Sequence, residues 1–452
     1  MKLVIIGNGI AGITAARNIR KISDCSITVI SSETEYFYSR TALMYIFMGH
    51  MRLKETQPYE NWFWAKNNIQ LKKAYVTNID TTNQTISTQQ GENIVYDKLL
   101  LATGSQSNYF GWPGQNLKGV QGLYNYQDLE LLEQNTQNTQ NTQHCKKAVI
   151  VGGGLIGIEL AEMLLSRNIE VTILVRESSY WSNVLPAGES QLINQHILKH
   201  GVDLKLNSNL QEIIGDENGK AKAVVVKETG ETINCQLVGL TAGVHPNIDL
   251  VKESTIEANR GILINHYFET NIANVYAIGD CAEFRQPLPL RRPVEQVWYT
   301  GKMQGEHLAQ NLFGQRKAYN PGPWFNSAKF FDIEYQTYGM VMPNLKENET
   351  SLFWQDANAE RCVHIIYDKN DKTFIGINTF GIRLRHKLFD KWLREKATVE
   401  TVLQNLSAAN FDPEFYKTYE AEILKQYQQQ TGILLKAKTK RSLKHFFNLM
   451  KN

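Results

Sequence analysis

A glycine-rich turn that follows a short apolar strand occurs twice in this chain. The first copy, Gly7-Asn8-Gly9-Ile10-Ala11-Gly12, follows residues 3–6, and the second, Gly152-Gly153-Gly154-Leu155-Ile156-Gly157, follows residues 148–151. A turn of this kind between a strand and a helix directs backbone N–H groups and the positive end of the helix at a pyrophosphate. The two copies therefore predict that one chain binds two dinucleotides and passes electrons between them.

The length and hydropathy indicate a soluble protein of several domains. At 452 residues the chain is too long for one ordinary core, so two or three domains are expected. A mean hydropathy of −0.36 and the absence of an apolar run near the roughly 20 residues of a membrane span argue against a membrane protein. Met1-Lys2 leads directly into the first strand, leaves no room for a signal peptide, and so predicts a cytoplasmic location. The net charge of +3 gives no indication of nucleic-acid binding.

Five scattered cysteines provide neither a redox pair nor a metal site by their spacing. They occupy positions 25, 145, 235, 281 and 362, without C-x-x-C, C-x-x-x-x-C or zinc-like Cys/His spacing. We therefore expect no metal and no dithiol built from neighbouring cysteines. Cys281 is expected to be buried as a small apolar side chain.

The pattern of elements divides the chain. Strands and helices alternate up to about residue 285, as in α/β proteins with parallel sheets, and two apolar strands end in the small turns Ala102-Thr103-Gly104 and Thr241-Ala242-Gly243. After about residue 320 the chain becomes aromatic and β-rich and then, from Arg385, helical and charged. This change predicts a separate C-terminal α+β domain.

Two segments have an unusual amino-acid composition, from which their structure can be predicted. The Asn-Thr-Gln repeat over residues 134–143 predicts an exposed loop that packs in no core. The basic stretch from Leu434 to Asn452 places Leu443, Phe446, Phe447 and Met450 on one side of a helix. That helix would pack on its own domain, or contact an acidic electron-transfer partner or an anionic membrane surface.

A third informative segment is Ala277-Ile278-Gly279-Asp280, an apolar strand that ends in glycine and a carboxylate. A carboxylate at this edge is suited to accept hydrogen bonds from ribitol hydroxyls. Taken alone, Asp280 would equally serve as a helix N-cap.

These four motifs, in this order, resemble the pyridine nucleotide-disulfide oxidoreductase superfamily, flavoproteins with two dinucleotide-binding domains. The resemblance implies FAD at the first fingerprint, NADH or NADPH at the second, and a ribityl contact from Asp280. It implies two Rossmann-like domains: a discontinuous FAD domain (1–110 and 243–320) that contains an inserted NAD(P) domain (111–242). A C-terminal interface domain with a helical basic tail (321–452) follows.

The branch within this superfamily is indicated by Tyr38-Ser39-Arg40-Thr41-Ala42-Leu43-Met44-Tyr45. This stretch is similar to the Y-x-R-x-x-L segment of rubredoxin- and ferredoxin-reductase-like proteins and of the FAD part of nitrite reductases, and it lacks the redox cysteines of other branches. The resemblance places Arg40 and Thr41 near FAD. Relatives pair a lysine with a glutamate equivalent to Glu159 near the reacting rings; here the lysine position is Tyr45, so Tyr45 and Glu159 are the candidate catalytic residues.

The strand ends that follow each fingerprint set which nucleotide is held. After residues 27–30, Ser31-Ser32-Glu33 offers Ser31 or Glu33 to the adenosine ribose. After residues 171–174, Val175-Arg176-Glu177 places a positive charge first, which favours NADPH over NADH. The predicted cofactor-binding residues are Gly7, Gly9, Ile10, Ala11, Gly12, Ser31, Ser32, Glu33, Arg40, Thr41, Ala102, Thr103, Gly104, Gly152, Gly154, Leu155, Ile156, Gly157, Arg176, Ala242, Gly243, Gly279 and Asp280.

We therefore predict an oxidoreductase in which hydride moves from NAD(P)H to FAD and electrons then leave for a ferredoxin or rubredoxin, without a disulfide relay. Two alternatives stay open: direct transfer to oxygen, peroxide or a quinone, and a flavoprotein that acts mainly by binding a partner, like apoptosis-inducing factor. A homodimer is left open as well.

Overall fold

The computed structural model describes residues 1–137, 145–411 and 417–438. Within these ranges, no helix has both the length and the apolar character needed to cross a membrane. Most of the predicted basic tail helix, including Leu443 and Met450, lies outside the described residues.

The strands, in chain order, are β1 (Lys2–Ile6), β2 (Ser26–Ser31), β3 (Ile69–Lys73), β4 (Val76–Asp80), β5 (Thr85–Thr88), β6 (Asn93–Val95), β7 (Lys98–Leu101), β8 (Ser105–Ser107), β9 (Val120–Gln121), β10 (Lys147–Val151), β11 (Glu170–Leu174), β12 (Asp203–Lys205), β13 (Leu210–Gly215), β14 (Ala221–Val226), β15 (Thr232–Asn234), β16 (Leu237–Leu240), β17 (Val244–Pro246), β18 (Ile262–Ile264), β19 (Val275–Ala277), β20 (Ala282–Phe284), β21 (Phe325–Phe330), β22 (Ile333–Gly339), β23 (Glu349–Gln355), β24 (Cys362–Asp368) and β25 (Phe374–Phe380).

The α-helices are α1 (Ile10–Arg20), α2 (Leu43–Phe47), α3 (Asn61–Lys66), α4 (Tyr126–Thr136), α5 (Leu155–Leu165), α6 (Ala187–Lys199), α7 (Trp298–Phe313), α8 (His386–Arg394), α9 (Val399–Gln404), α10 (Leu406–Ala409) and α11 (Glu420–Thr431).

By internal contacts the described chain forms two compact units. The first comprises residues 1–176 and 208–321, and the second comprises residues 177–207 and 322–452. The first unit thus holds both fingerprints. The segment 177–207, which contains α6, groups with the C-terminal residues and not with the rest of the inserted domain predicted as 111–242. The functional domain bounds stay a prediction.

A parallel sheet forms the base of the first unit. Its strand order is β19-β7-β1-β2-β3, so the outer strand β19 comes from the second chain segment and completes a sheet begun by the first. Strands β1, β2, β7 and β19 are largely apolar and buried, as parallel sheets covered on both faces require, whereas the edge strand β3 is polar and mostly half-exposed or exposed. Helix α7, from the same late segment, packs against α1 closely enough that a Cβ on Gly305 would lie 2.6 Å from the carbonyl oxygen of Ala11. The predicted α/β fold with a discontinuous first domain is confirmed.

The second fingerprint lies on its own parallel strands. β10 pairs with β11 on one side and with β16 on the other, and β16 pairs with β9. The chain enters this region along β8 and leaves it along β17, and these two strands pair antiparallel, Ser105 opposite Pro246. The entry and exit segments therefore form one two-stranded connector.

The second unit is built on an antiparallel sheet of order β21-β22-β25-β24-β23, with α8–α11 following it in the chain. Aromatic side chains dominate its core, including Phe389, which stacks on Tyr338 at 5.0 Å between ring centroids. This agrees with the α+β character predicted from the aromatic, β-rich texture.

The prediction that the whole Asn-Thr-Gln segment forms an exposed loop is wrong for residues 134–136. Helix α4 continues through residues 134–136, and Thr136 is buried, its Oγ1 donating to the carbonyl of Leu132 at 2.7 Å. The Asn135 side chain donates to Gln121 Oε1 at 2.7 Å. The capping box at Asn125 and Asp128 starts a helix strong enough to extend into the repeat. Residues 138–143 of the segment lie outside the described residues.

Candidate functional site

The first unit contains a cavity of about 750 Å³ at the carboxyl ends of β1, β7 and β19. Parallel sheets bind ligands at this edge, and a volume of this order accommodates a large cofactor. Sixteen of the predicted residues line it: Gly7, Gly9, Ile10, Ala11, Ser31, Ser32, Glu33, Arg40, Thr41, Ala102, Thr103, Gly104, Ile156, Glu159, Gly279 and Asp280.

The three glycines of the first fingerprint have different surroundings. A Cβ on Gly7, which has φ +113°, would lie 2.0 Å from the carbonyl oxygen of Ala102, and a Cβ on Gly12 would lie 2.1 Å from the carbonyl oxygen of Gly7. Gly7 and Gly12 are therefore required for the packing of strand against helix. A Cβ on Gly9, at the N-terminus of α1, would have no neighbour within 4 Å. Gly9 thus borders open space at the N-terminal end of α1, and its predicted pyrophosphate contact stays a prediction.

Asp280 lies deep in the cavity and is held through one oxygen. Ser105 Oγ donates to Asp280 Oδ2 at 3.1 Å and the Tyr124 hydroxyl at 3.3 Å, while Gln296 donates to Ser105 Oγ at 2.7 Å. Burial raises the pKa of Asp280, and Ser105, Arg40 and Tyr124 oppose that shift. Among the described residues none donates to Oδ1. The ribityl contact of Asp280 stays a prediction.

Glu33 and Arg40 form an ion pair on the cavity wall. Arg40 Nη2 lies 2.7 Å from Glu33 Oε2, and Glu33 Oε1 also accepts from the Tyr38 hydroxyl and from the backbone N–H of Tyr126, the latter at 2.8 Å. Burial would raise the pKa of Glu33, but the charge and hydrogen bonds of Arg40, with Tyr38 and Tyr126, hold it below its ordinary value. Arg40 also donates to the carbonyl of Tyr124 at 2.6 Å. The pair therefore ties the turn after β2 to the start of α4.

One face of α5 reaches the same cavity. Ile156, Glu159 and Met163, spaced three and four residues apart, share a side of the helix and all line the cavity. Helix α5 begins at the second fingerprint. The helix that would receive the second nucleotide therefore contributes the wall that faces the first.

The second fingerprint repeats the local geometry of the first. A Cβ on Gly152, at φ +128°, would lie 2.5 Å from the carbonyl oxygen of Thr241, whereas a Cβ on Gly154 would have no neighbour within 4 Å. Ala242 and Gly243 follow Thr241 at the end of β16, beside this turn. Gly157 is buried within α5. The second turn thus has the same open N-terminal position as the first.

Nine predicted residues are absent from the cavity wall: Gly12, Tyr45, Gly152, Gly154, Leu155, Gly157, Arg176, Ala242 and Gly243. Arg176 and Tyr45 are the two among them that belong to neither fingerprint nor the strand-end turns. Arg176 is exposed immediately after the buried Val175 at the end of β11. The Tyr45 ring is half-buried and stacks on His50 at 6.2 Å; among the described residues, α2 contributes Leu43 and Met44 to the cavity wall instead. Both roles stay predictions.

Sequence reasoning missed several residues of this wall. Asn8 is buried and donates to the carbonyl of Thr34 at 2.8 Å, and Ser105, Tyr124, Gln296 and Trp298 line the cavity. Two of them could have been suspected from their position in the sequence: Asn8 lies within the first fingerprint, and Ser105 follows Gly104. Tyr124 and Gln296 carry no such mark in the sequence.

The burial expected for Cys281 is confirmed, and the other four cysteines are buried as well. All five are buried, and none lines the cavity formed by the described residues. Cys281 is fully buried next to Asp280, with its Sγ 3.3 Å from the carbonyl oxygen of Ile278, and burial raises the pKa of its thiol.

Comparison with known proteins gives matches over most of the chain. A nitrite reductase [NAD(P)H] from Bacillus subtilis is 33% identical over 288 residues, 63% of this chain and 34% of that protein. An NADH-rubredoxin oxidoreductase from Clostridium acetobutylicum is 29% identical over 417 residues, 90% of this chain and 99% of that protein. The crystal structure of a ferredoxin reductase from Rhodopseudomonas palustris matches with a TM-score of 0.75 at 22% identity, over 84% of this chain and 91% of that one.

The coverage of these relatives is uneven. The chain spans about a third of the nitrite reductase and 49% of a second Bacillus subtilis relative, the electron transfer subunit of assimilatory nitrate reductase. A sequence profile described as pyridine nucleotide-disulphide oxidoreductase matches residues 1–305. The family resemblance predicted from the sequence motifs is confirmed by this match. The chain belongs to the pyridine nucleotide-disulphide oxidoreductase family.

Proposed function

We propose that this chain passes electrons from NADH or NADPH, through bound FAD, to a small iron–sulfur protein of the rubredoxin or ferredoxin type. The observation that carries the proposal is the shared cavity: Asp280 and Gly9 line it from the first nucleotide site, and Glu159 lines it from the helix of the second. Two nucleotides held at the two fingerprints would therefore present their rings to one another.

The chain's own residues hold and orient the two nucleotides. Gly9 and the N-terminus of α1 would hold the pyrophosphate of FAD, and the Asp280 carboxylate would accept from its ribityl hydroxyls. Gly154, Leu155 and the start of α5 receive the pyrophosphate of the pyridine nucleotide, with Arg176 beside its adenosine ribose. When bound, FAD supplies the conversion from a hydride donor to one-electron acceptors.

Glu159 is the residue we assign to the nicotinamide ring. It projects from α5 into the cavity between Ile156 and Met163, where its carboxylate can accept from the carboxamide of the ring. Tyr45 remains a weaker assignment, because α2 contributes Leu43 and Met44 to the wall.

The absence of a thiol from this wall supports direct transfer from flavin to an outside acceptor. Each of the five cysteines is buried elsewhere in the described structure, so no cysteine thiol of the described residues lines this cavity. Unpaired cysteines are also typical of a reducing compartment, and we place the enzyme in the cytoplasm.

The choice of acceptor rests on the relatives. The NADH-rubredoxin oxidoreductase is matched over 99% of its length, and two proteins named rubredoxin-NAD(+) reductase are matched over 72% and 73% of theirs. A relative named NADH oxidase, from Methanocaldococcus jannaschii, is matched over 76% of its length. Rubredoxin and ferredoxin are therefore the first acceptors to test, with oxygen as the comparison.

Anaerobic stopped-flow spectroscopy tests the proposal. The holoprotein is mixed with NADH or NADPH while flavin absorbance is followed, and the reduced protein is then mixed with oxidised rubredoxin, with ferredoxin or with oxygen. Flavin bleaching within seconds, followed by reoxidation that is faster with an iron–sulfur protein than with oxygen, is the expected result. Reoxidation fastest with oxygen would make the chain an oxidase, and bleaching that takes minutes would favour a partner-binding role.

Two variants separate the roles of the residues. Glu159→Gln should slow bleaching about tenfold or more and leave FAD binding unchanged, because a neutral amide is a weaker acceptor for the carboxamide. Gly154→Ala should weaken the pyridine nucleotide alone, since its Cβ meets only the space left for that nucleotide. Loss of FAD from either variant would contradict these assignments.

A further inference from the structure

Two histidines at the end of α6 face the turn between β21 and β22 in the second unit. His196 lies in the last turn of the helix and His200 is the residue that follows it, so their rings project from the same side. His196 Nε2 lies 2.7 Å and His200 Nε2 3.4 Å from the same atom, Asp332 Oδ1. All three ligand atoms lie within 4.8 Å of one another.

The His200 ring is fixed in a position suited to metal binding. Its Nδ1 lies 2.9 Å from the carbonyl oxygen of His196, so in the neutral ring Nδ1 carries the proton and Nε2 carries the lone pair. The ring also stacks on Phe331, with centroids 4.2 Å apart and planes 4° from parallel. Both contacts orient Nε2 toward Asp332.

His196 carries a buried ring nitrogen that its surroundings do not satisfy. The side chain is 6% exposed, and Nε2 has no aligned hydrogen bond despite its short distance to Asp332 Oδ1. A buried nitrogen without an aligned hydrogen bond is costly, and a cation bound by both Nε2 and the Asp332 carboxylate would remove that cost.

Asp332 supplies an accessible carboxylate. It sits in a two-residue hairpin turn after Phe331, whose φ of +54° is unusual for a bulky residue and turns the chain so that Asp332 follows on the helix side. The Asp332 side chain is 76% exposed, so a hydrated cation can reach it. Lys199, the cation between the two histidines, is paired with Glu360 at 2.6 Å.

We propose that His196, His200 and Asp332 form a zinc site that fastens α6 to the β21–β22 hairpin. Two imidazoles and one carboxylate are ligands that Zn²⁺ prefers, and three protein ligands leave the fourth tetrahedral position to water. From the sequence we expected no metal. Asp332 is far from the histidines along the chain, and only the fold brings them together. Among the described residues, this is the cluster whose donor atoms converge.

Equilibrium dialysis of the tag-free holoprotein against micromolar ZnSO₄, followed by mass spectrometry of metal and protein, tests the site. We expect about one zinc per chain, a rise in the thermal midpoint on addition of zinc, and its reversal by a chelator. Asp332→Asn keeps the shape of the exposed side chain and should weaken zinc binding tenfold or more and abolish the thermal shift. Asp371→Asn, the same change in the exposed turn between β24 and β25, is the matched control and should change neither.

A second variant distinguishes the loss of a zinc ligand from misfolding of the protein. His200→Asn removes a half-buried ligand from the end of α6, and it should lose zinc as Asp332→Asn does while retaining FAD in the first unit. Zinc binding of equal strength in the wild type and in both variants would place the metal elsewhere and overturn the proposal. So would a wild type that takes up no zinc at these concentrations.

Discussion

The Tyr124 hydroxyl lies 3.3 Å from Asp280 Oδ2, the same oxygen that Ser105 contacts, and Asp280 lines the cavity. Side chains of the protein itself therefore orient this carboxylate. A preoriented acceptor loses little entropy when a ribityl hydroxyl binds to it.

We expect Asp280→Ala to raise the dissociation constant of FAD about tenfold or more, because a hydrogen bond to a charged group contributes about 1.5–3 kcal/mol. Tyr124→Phe should have a smaller effect, since it removes only a hydrogen bond that orients the carboxylate. Fluorescence titration of the apoprotein with FAD measures both. An affinity that falls further in Tyr124→Phe than in Asp280→Ala would contradict this order.

Substitutions of the second and third glycines of the first fingerprint, Gly9 and Gly12, should have different effects on folding and on cofactor binding. Gly9→Ala has room within the protein and should leave the thermal midpoint of the apoprotein within a few degrees, yet weaken FAD about tenfold or more, because the methyl group takes the place of the pyrophosphate. Gly12→Ala meets the carbonyl of Gly7 and should prevent stable folding. Circular dichroism melting and FAD titration are the measurements. A Gly9→Ala variant that binds FAD normally would move the pyrophosphate away from this turn.

Glu33→Gln should destabilise the first unit by about 1–3 kcal/mol at pH 7, because it leaves the largely buried Arg40 with a weaker partner. The pKa of Glu33 is lowered in the folded state, so its stabilising effect is complete above about pH 4.5 and is lost as the pH falls through the lower folded value. The difference between variant and wild type in urea unfolding should therefore shrink below that pH. Glu55→Gln, which breaks the exposed pair with Arg52, should cause no measurable change.

Nucleotide preference should depend on Arg176. Arg176→Ala is expected to lower kcat/KM for NADPH about tenfold, the effect of one charged hydrogen bond, and to leave NADH within about twofold. Steady-state reduction of an artificial acceptor with each nucleotide measures the ratio. Arg260→Ala, another exposed arginine of the first unit, is the control; equal losses with both nucleotides in Arg176→Ala would argue that the 2′-phosphate is bound elsewhere.

The second unit contains a buried carboxylate, Glu189, which accepts from Asn378 at 2.8 Å and lies 3.0 Å from His364 Nδ1. Burial raises its pKa, partly opposed by His364 and Asn378, so the associated stability is present below about pH 4.5 and is lost as the pH rises through the folded value. Glu189→Gln should remove that pH dependence, because a neutral amide has no charged form to bury. Glu189→Leu should cost about 2–4 kcal/mol by leaving both partners unsatisfied. Thermal unfolding between pH 5 and pH 8, followed by tryptophan fluorescence, tests both variants.

The sequence predicted those features that depend only on neighbouring residues. The two glycine turns and Asp280 each follow an apolar strand directly, so their conformation could be inferred from a few adjacent residues. Tyr124 could not be found in this way, because it meets Asp280 only after the sheet brings β19 beside β7. The same holds for Asp332 and the α6 histidines. The burial of Thr136 was not predicted, because the polar composition of the repeat indicates exposure. Thr136 is buried because helix α4 continues as far as this residue.

The paired strands β8 and β17 have a mechanical consequence. The chain between β8 and β17 is joined to the rest of the first unit by these two paired strands. A rotation of this region must therefore bend both strands and cannot occur about a single backbone bond. Ser105 lies in this pair of strands opposite Pro246 and donates to Asp280. If the proposed nucleotide sites are correct, bending of β8 and β17 on binding at the second fingerprint would move Ser105 and thereby shift Asp280. Binding at the second site would then change the geometry of the first.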